Sequence, residues 1–549
     1  GVGVAQNRDY VWLFGYGSNT IDSSFGGSML DFNFNPPHVS YYFGPFDMYV
    51  TNASICNSVG KLLCYTNGTQ VANGIFDVMA DCDSLNLGEV NEDFFNSGYP
   101  LIQGAMMLPS NFNDSVFAIL HVREEWGNGV IGEHTSGLFY TLIDMRLNGA
   151  NGGVLEQRVP ILLDTLDIGN MVSVRHSNGI DWWIIVKEYN SNRFYKVLFS
   201  LNGEVSVSSQ EVGQIPFNLG GIGAFSPNGK KYAEFSGFSL LAGKDVEVFD
   251  FNRCTGKLSN PILFHFDDGN NVAGLVFSPS SRFLYLTSGR YIYQYDMEAD
   301  DIIASKDTVA IYDGSMHPFP ATFFTPQLGP DGKIYIISPN GNTTLHVIHY
   351  PDLKGDACMV EQNAIQLPTY NRYSMPHFPN YRLGAIPPIT PSFIHTVSND
   401  TVYFQSTSLG GSEFKWNFGD GGTGMGTEVS HVYSHPGNYV VTLKVIDDCL
   451  AEAVMDTIVV TYSNVKEIAQ NGIQVQPNPA TDFVNFYLPA SIVEAELRLR
   501  TVAGQTVLAQ RIGFGWSMVG LEGIAPGLYF YEVKDSGRLL GSGKLVRVE

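Results

Sequence analysis

The stretch VFSPSSRFLYLT, residues 276–287, has two counterparts in the same chain: AFSPNGKKYAEF at residues 224–235 and QLGPDGKIYIIS at residues 327–338. Their prolines, Pro227, Pro279 and Pro330, lie 52 and 51 residues apart. In each copy a Pro followed by Asn-Gly, Ser-Ser or Asp-Gly supplies hairpin-turn chemistry, and the residues after it alternate in the manner of a strand. A period near fifty that combines a turn with alternating strands is the signature of a four-stranded propeller blade. One blade cannot bury both its faces, so blades must stack around an axis.

Weaker copies stand upstream, at SVGKLLCYTNG from Ser58, LPSNFNDSVFAILHV from Leu108, and VRHSNGIDWWIIVKEYNSNRFYKVLFSLNG from Val174. With the first strand YVWLFG and a late segment MPHFPNY, residues 375–381, positioned to close the ring, they suggest about seven blades; six or eight stay open. Composition agrees with an all-β chain. Charged residues are 15%, aromatics 13%, and there are 58 Gly, which suits short strands and tight turns.

The 549 residues carry a net charge of −23, from 31 basic and 54 acidic groups. The deficit is uneven, because residues 470–549 hold seven of each sign. An acidic body without a Lys/Arg cluster argues against nucleic acid, whose phosphates demand such clusters. No apolar run reaches the roughly 18 to 20 residues that span a bilayer. The N-terminus GVGVAQNRDYVWLFG shows no charged region followed by an apolar one, so the expectation is that any export signal has already been removed or was never there. None of the six cysteines forms a CxxC pair. Cys56 and Cys64 flank a turn and could face each other, Cys254 and Cys358 could bridge later blades, and isolated buried thiols are the other reading.

The segments VWLFG, LDFNFNPP, GKLLCYTNG, FYTLIDMRLNG, VRHSNGIDWWIIV, FDFNRCTGKLSNP and MPHFPNY together resemble a family of propeller-bearing surface proteins of Bacteroidota, over almost all of residues 1–385. The pattern departs at Ile21 to Gly27 and Tyr41 to Phe46. The resemblance implies a secreted or surface propeller and supplies no ligand. Within it, His176 and Asp181 in RHSNGIDWW are a candidate acid-base pair, although SNG also reads as a plain turn with Trp182 and Trp183 packing a blade. His317 and His377 lie in Pro- and Phe-rich loops that could line the same propeller face, and with His176 they could form a metal site, which their spacing does not require. No GxSxG, HExxH, EF-hand or Walker pattern is present. The expectation is therefore binding, with a lactonase, hydrolase or lyase at the funnel as the alternative.

The triplet Asp-Ser/Thr-apolar recurs around Ser84, Ser115, Thr165, Thr308, Thr401 and Thr457 and resembles the O-glycosylation acceptor of Bacteroidota. After a Pro-rich linker at residues 386–394, which overlaps AIPPITPSF, FKWNFGDGGTGMGTEVSHVYSHPGNYVVTLKVID resembles a PKD domain over residues 395–463. Trp416 and Phe418 alternate on one strand with Phe414, the turn Gly419, Asp420, Gly421 follows, and Tyr439 begins a second alternating strand. Calcium at Asp420 is a possible cofactor, against a purely backbone-bonding role for that turn; no other cofactor is expected.

A second linker, residues 464–472, leads into IQVQPNPATDFVNFYLP, AELRLRTVAGQTVLAQRI and GLEGIAPGLYFYEVKDSGRLLGSGKLVRVE, residues 473–549. These resemble the type A sorting domain of the type IX secretion system. The motif residues are Pro477, Asn478, Pro479, Asp482, Gly504, Gly527, Tyr529 and Lys544. The resemblance implies transit through the periplasm, recognition of this domain by an outer-membrane translocon with its shuttle or sortase components, and a final place at the cell surface or outside the cell. The expected architecture is a roughly seven-bladed propeller followed by two small β-sandwiches, with a glycan or protein as the propeller's ligand.

Overall fold

The Pro-led repeats become turns at equivalent places. In the computed structural model, which describes residues 6–20, 24–80, 82, 84–110, 113–127, 131–201, 204–216, 220–236, 244–266, 268–269, 274–398, 400–447, 449–461 and 472–548, Pro227, Pro279 and Pro330 each sit between the first two strands of a four-stranded antiparallel sheet. Two residues after each proline, Gly229, Ser281 and Gly332 all take a left-handed backbone, with φ of 69°, 71° and 80°. Glycine adopts it freely. Ser281 adopts it while its Oγ accepts the Asn228 N–H of the preceding blade at 3.0 Å.

Seven such sheets precede residue 372 among the described residues. The first is three-stranded (Val11–Tyr16, Gly26–Asp31, His38–Tyr42), as is the second (Ala53–Cys56, Leu62–Thr66, Val71–Asn73). The remaining five have four strands, beginning at Ala105–Pro109, Val172–Arg175, Gly221–Phe225, Gly274–Phe277 and Pro326–Leu328. This is the seven-bladed β-propeller. Buried side chains from adjacent sheets interleave to make its core, for example Val246, Val248 and Phe264 against Leu275, Leu284 and Tyr295.

Blade I is built one strand short. Asn52 Nδ2 donates to Leu13 O (2.6 Å) and Cys56 N to Arg8 O (2.7 Å), so Val11–Tyr16 runs opposite to Ala53–Cys56. Residues 375–381 fill the space this leaves. His377 N donates to Asn52 O (3.0 Å), Tyr381 Oη to Met107 O (2.7 Å), and the Phe378 ring lies 5.9 Å from Trp12.

The chain divides into two compact units, one comprising Gly1–Ile389 with Gly410–Ser412 and Ile446–Ala451, the other the rest. Two β-sandwiches follow the propeller. The first pairs the sheet Phe393–Ser398, Thr401–Ser406, Glu428–Val432 with the sheet Thr423–Met425, Glu413–Asn417, Gly437–Ile446, Ala451–Val460. Trp416 and Phe418 are buried against Phe404. Tyr439 is half-buried beside Tyr433, with ring centroids 4.2 Å apart. Gly419 is required, since a Cβ there would come within 2.6 Å of Val440 O.

The C-terminal sandwich pairs Gln474–Gln476, Phe483–Leu488, Gly515–Gly520 with Thr506–Gly513, Glu494–Thr501, Gly527–Asp535, Arg538–Arg547. Asn478, held between Pro477 and Pro479, ties the opening of this sandwich to its last strand. Its Nδ2 donates to Lys544 O (2.7 Å) and its Oδ1 accepts Val546 N–H (2.9 Å), as a neighbouring strand would. Asp482 O accepts Leu521 N–H, Tyr529 Oη donates to Ala525 O, and Gly504 supplies the left-handed turn after Thr501.

The cysteines correct the expected pairing. Within the first unit Cys254 is disulfide-bonded to Cys449, with a Cα–Cα distance of 5.3 Å, and not to Cys358. Cys56, Cys64 and Cys358 are buried and outside any disulfide. Cys56 and Cys64 are on paired strands without being opposite each other, because Cys56 opposes Leu62 and Cys64 opposes Ile55. No helix among the described residues is long and apolar enough to cross a membrane.

Candidate functional site

The histidines singled out in the sequence are not brought together. His176 Nδ1 accepts Asn178 N–H (3.2 Å) and its Nε2 therefore donates to Cys254 O (3.2 Å), while Asp181 Oδ2 takes the Asn178 amide (2.6 Å). The imidazole and carboxylate of the expected pair thus serve one turn, with the His176 ring 5.8 Å from Trp183. His317 is in a loop closed on Phe319 O and Thr343 N. His377 lies in the closing segment, its Nε2 at 3.2 Å from Met171 O and its Nδ1 at 3.4 Å from Gln103 Nε2. Burial pushes its pKa down to about 4, so the ring is neutral at physiological pH. It borders an axial cavity of about 290 Å³ walled by Val172, Ile222, Leu275 and Pro227. That volume is at the lower bound for a pocket enclosing a drug-sized ligand.

No group of three or more His, Cys, Asp or Glu able to hold a metal occurs among the described residues. Asp420 does not fit calcium as it stands. Its Oδ2 is 2.7 Å from His431 Nε2 and its Oδ1 accepts Gly422 N–H at 2.9 Å. Burial works to raise its pKa, and these hydrogen bonds overcome that and hold it below the usual carboxylate range.

What the fold does assemble is a ledge of aromatic rings on the face where the first strands of blades II to VII begin. Tyr49 precedes Ala53–Cys56 and Phe324 precedes Pro326–Leu328, while Tyr16 ends the oppositely directed Val11–Tyr16 and so arrives at the same face. Trp126 follows Val116–Glu125, which returns antiparallel from Ala105–Pro109. Ring centroids step from Trp126 to Phe94 (6.0 Å), on to Tyr49 (6.3 Å) and Tyr373 (6.1 Å), and separately from Tyr16 to Phe25 (5.5 Å) and Tyr370 (5.4 Å).

Arg372 joins the two runs. Its guanidinium carbon is 5.0 Å from the Tyr373 ring centre, 5.4 Å from Tyr49 and 5.7 Å from Tyr16. Such contacts fix the side chain through the ring quadrupoles. All of these rings are half-buried or exposed at their edges, apart from Phe324, which is buried beneath Tyr373. Trp126 is 37% exposed. Rigid, partly exposed aromatics offer large contact area at low entropic cost. Sequence reading missed this site because its members are scattered from Tyr16 to Tyr373 and none falls in the repeats. The one available signal was the density of aromatic and basic residues in TYNRY, residues 369–373, just before the closing segment.

Of the acceptor-like triplets, Thr308 and Thr457 are exposed and Ser84, Ser115, Thr165 and Thr401 are half-buried. Asp83, in the first triplet, lies outside the described residues.

Residues 394–462 match the PKD domain family. A search among proteins of curated function finds no match. Among solved structures, an oligogalacturonate lyase in complex with manganese is 12% identical, with 60% of this chain and 83% of that one covered and a TM-score of 0.33. An exo-β-1,3-galactanase from Phanerochaete chrysosporium is 8% identical, covering 82% and 96%, with a TM-score of 0.28. At these scores the likenesses carry no argument about ligand or chemistry.

Proposed function

We propose that the protein is an exported surface or secreted binding protein, adhesin-like, that holds a glycan or protein on the aromatic ledge of its propeller and reaches its place as cargo of the type IX secretion system. The ledge carries the binding half of this reading. Nine side chains, counting Arg372 and the buried Phe324, converge there from strand ends and loops spread along the propeller, an arrangement suited to recognition. A PKD module and a disulfide fit an extracellular, oxidising setting. The export half rests on the sorting-domain resemblance of residues 473–549, with the outer-membrane translocon and its shuttle or sortase as partners and the periplasm as the station in transit.

The second reading, a lactonase, hydrolase or lyase, has the axial cavity and His377 as its foothold. Screening the full chain against immobilised polysaccharides and soluble lactones separates the two. Retention without turnover is the expected result, and turnover without retention overturns the binding reading. For export, deletion of residues 473–549 is expected to strand the protein in the periplasm of the bacterium that makes it. Surface display of the truncated chain would overturn the route.

A further inference from the structure

We infer that the ligand of the ledge is a carboxylated glycan, with Arg372 as the group that receives the carboxylate; this rests on the binding reading above and narrows it. Arg123, Arg193, Arg282 and Arg382 each hold an acidic side chain within the protein. Arg372, in a chain with 54 acidic residues, has no carboxylate partner among the described residues and no hydrogen-bond acceptor among them. The rings of Tyr16, Tyr49 and Tyr373 lie around the guanidinium, and the residue is half-buried rather than sealed from solvent. A guanidinium edge presents two parallel donors at the spacing of a carboxylate's oxygens.

The hydroxyls around it point the same way. Tyr16, Tyr49, Tyr370 and Tyr373 are half-buried, and among the described residues none has a hydrogen-bond partner for its Oη. The ledge therefore offers apolar ring surface for the C–H faces of sugars, phenol hydroxyls for sugar hydroxyls, and one fork for an acid.

The test measures binding of the full-length protein to polygalacturonate, alginate and hyaluronan, each beside its carboxyl-reduced form. At least one acidic polymer is expected to bind at least tenfold more tightly than its reduced partner. Arg372→Gln is expected to erase that preference, and Arg372→Lys to retain part of it. Tyr49→Ala should weaken both forms. Because Arg372 also packs on rings, melting curves accompany each variant, and a preference lost in Arg372→Gln counts only where its melting curve matches that of the unaltered protein. Equal binding of acidic and reduced forms, or a preference that survives Arg372→Gln, overturns the inference while leaving an adhesin in place. Absence of binding to every polymer overturns the glycan reading itself.

Discussion

Asp9 and Arg382, 373 residues apart, form a two-point ion pair, with Nη1 to Oδ2 at 3.0 Å and Nη2 to Oδ1 at 2.5 Å. Burial raises the Asp9 carboxyl above its ordinary range even with the guanidinium beside it. Removing one member of such a pair leaves a buried charge without compensation. Arg382→Ala is expected to destabilise the propeller by about 3 to 5 kcal/mol. The double variant Asp9→Asn with Arg382→Ala should recover part of the loss. Urea unfolding followed by intrinsic fluorescence decides it, and equal losses in single and double variants would sink the idea.

The bond between Cys254 and Cys449 spans 195 residues. Closing a loop that long restricts the unfolded chain, with a typical effect of about 2 to 4 kcal/mol. Cys254→Ser should lower the thermal midpoint, and reductant should bring the unaltered protein down to the same value. Cys358→Ser, which removes a buried free thiol, should leave the response to reductant intact.

Glu124 is buried with its Oε2 unpartnered, and burial first, then the charge of Glu133, pushes its pKa up to about 8 from 4.5. The folded state therefore holds a proton that the unfolded state releases above about pH 4.5. The stabilising contribution is complete below that pH and is lost as pH rises through about 8, at about 1.4 kcal/mol per pH unit. Glu124→Gln should match the unaltered protein at pH 5 and exceed it in stability at pH 9. Parallel stability curves across that range would contradict the assignment.

Ser281 has the backbone of a glycine and an Oγ that accepts the Asn228 N–H. Ser281→Ala keeps the strain and loses the bond, so a cost of about 1 kcal/mol is expected. Ser281→Gly loses the bond and relieves about as much strain, for a net change near zero. At the equivalent Gly229, an added Cβ would sit 2.7 Å from Arg253 Cδ and 2.8 Å from Leu383 Cδ2, so Gly229→Ala should be the most damaging of the three. Thermal melts rank them, and a different order would show that the turns are not equivalent.

The propeller was legible because its signal is local and repeated. Pro227, Pro279 and Pro330 mark turns whose chemistry is complete within a few residues, and the strands after them alternate. The same holds for Trp416, Phe418 and the turn at Gly419. Asn478 was legible as a motif member, but its part as a substitute strand depends on Lys544 and Val546, some seventy residues on. The partner of Cys254 was missed for a like reason. The expected partner, Cys358, was sought within the neighbouring blades, and Cys449 lies 195 residues from Cys254, after the propeller repeats have ended. The ledge was least legible, since no periodicity links Tyr16, Tyr49, Trp126 and Arg372 until seven blades have curved their turns onto one face.

Blade I lacks a strand that residues 375–381 make good, and this bears on the order of assembly. The nascent propeller has nothing to seal Trp12 and Asn52 until its last blade has emerged, so it stays an open arc through most of its synthesis. Contacts such as Tyr381 with Met107 are among the most distant in sequence and so among the slowest to form. Until those contacts form, the seam beside Trp12 and Asn52 stays open, which makes closure of the ring the last step its topology allows.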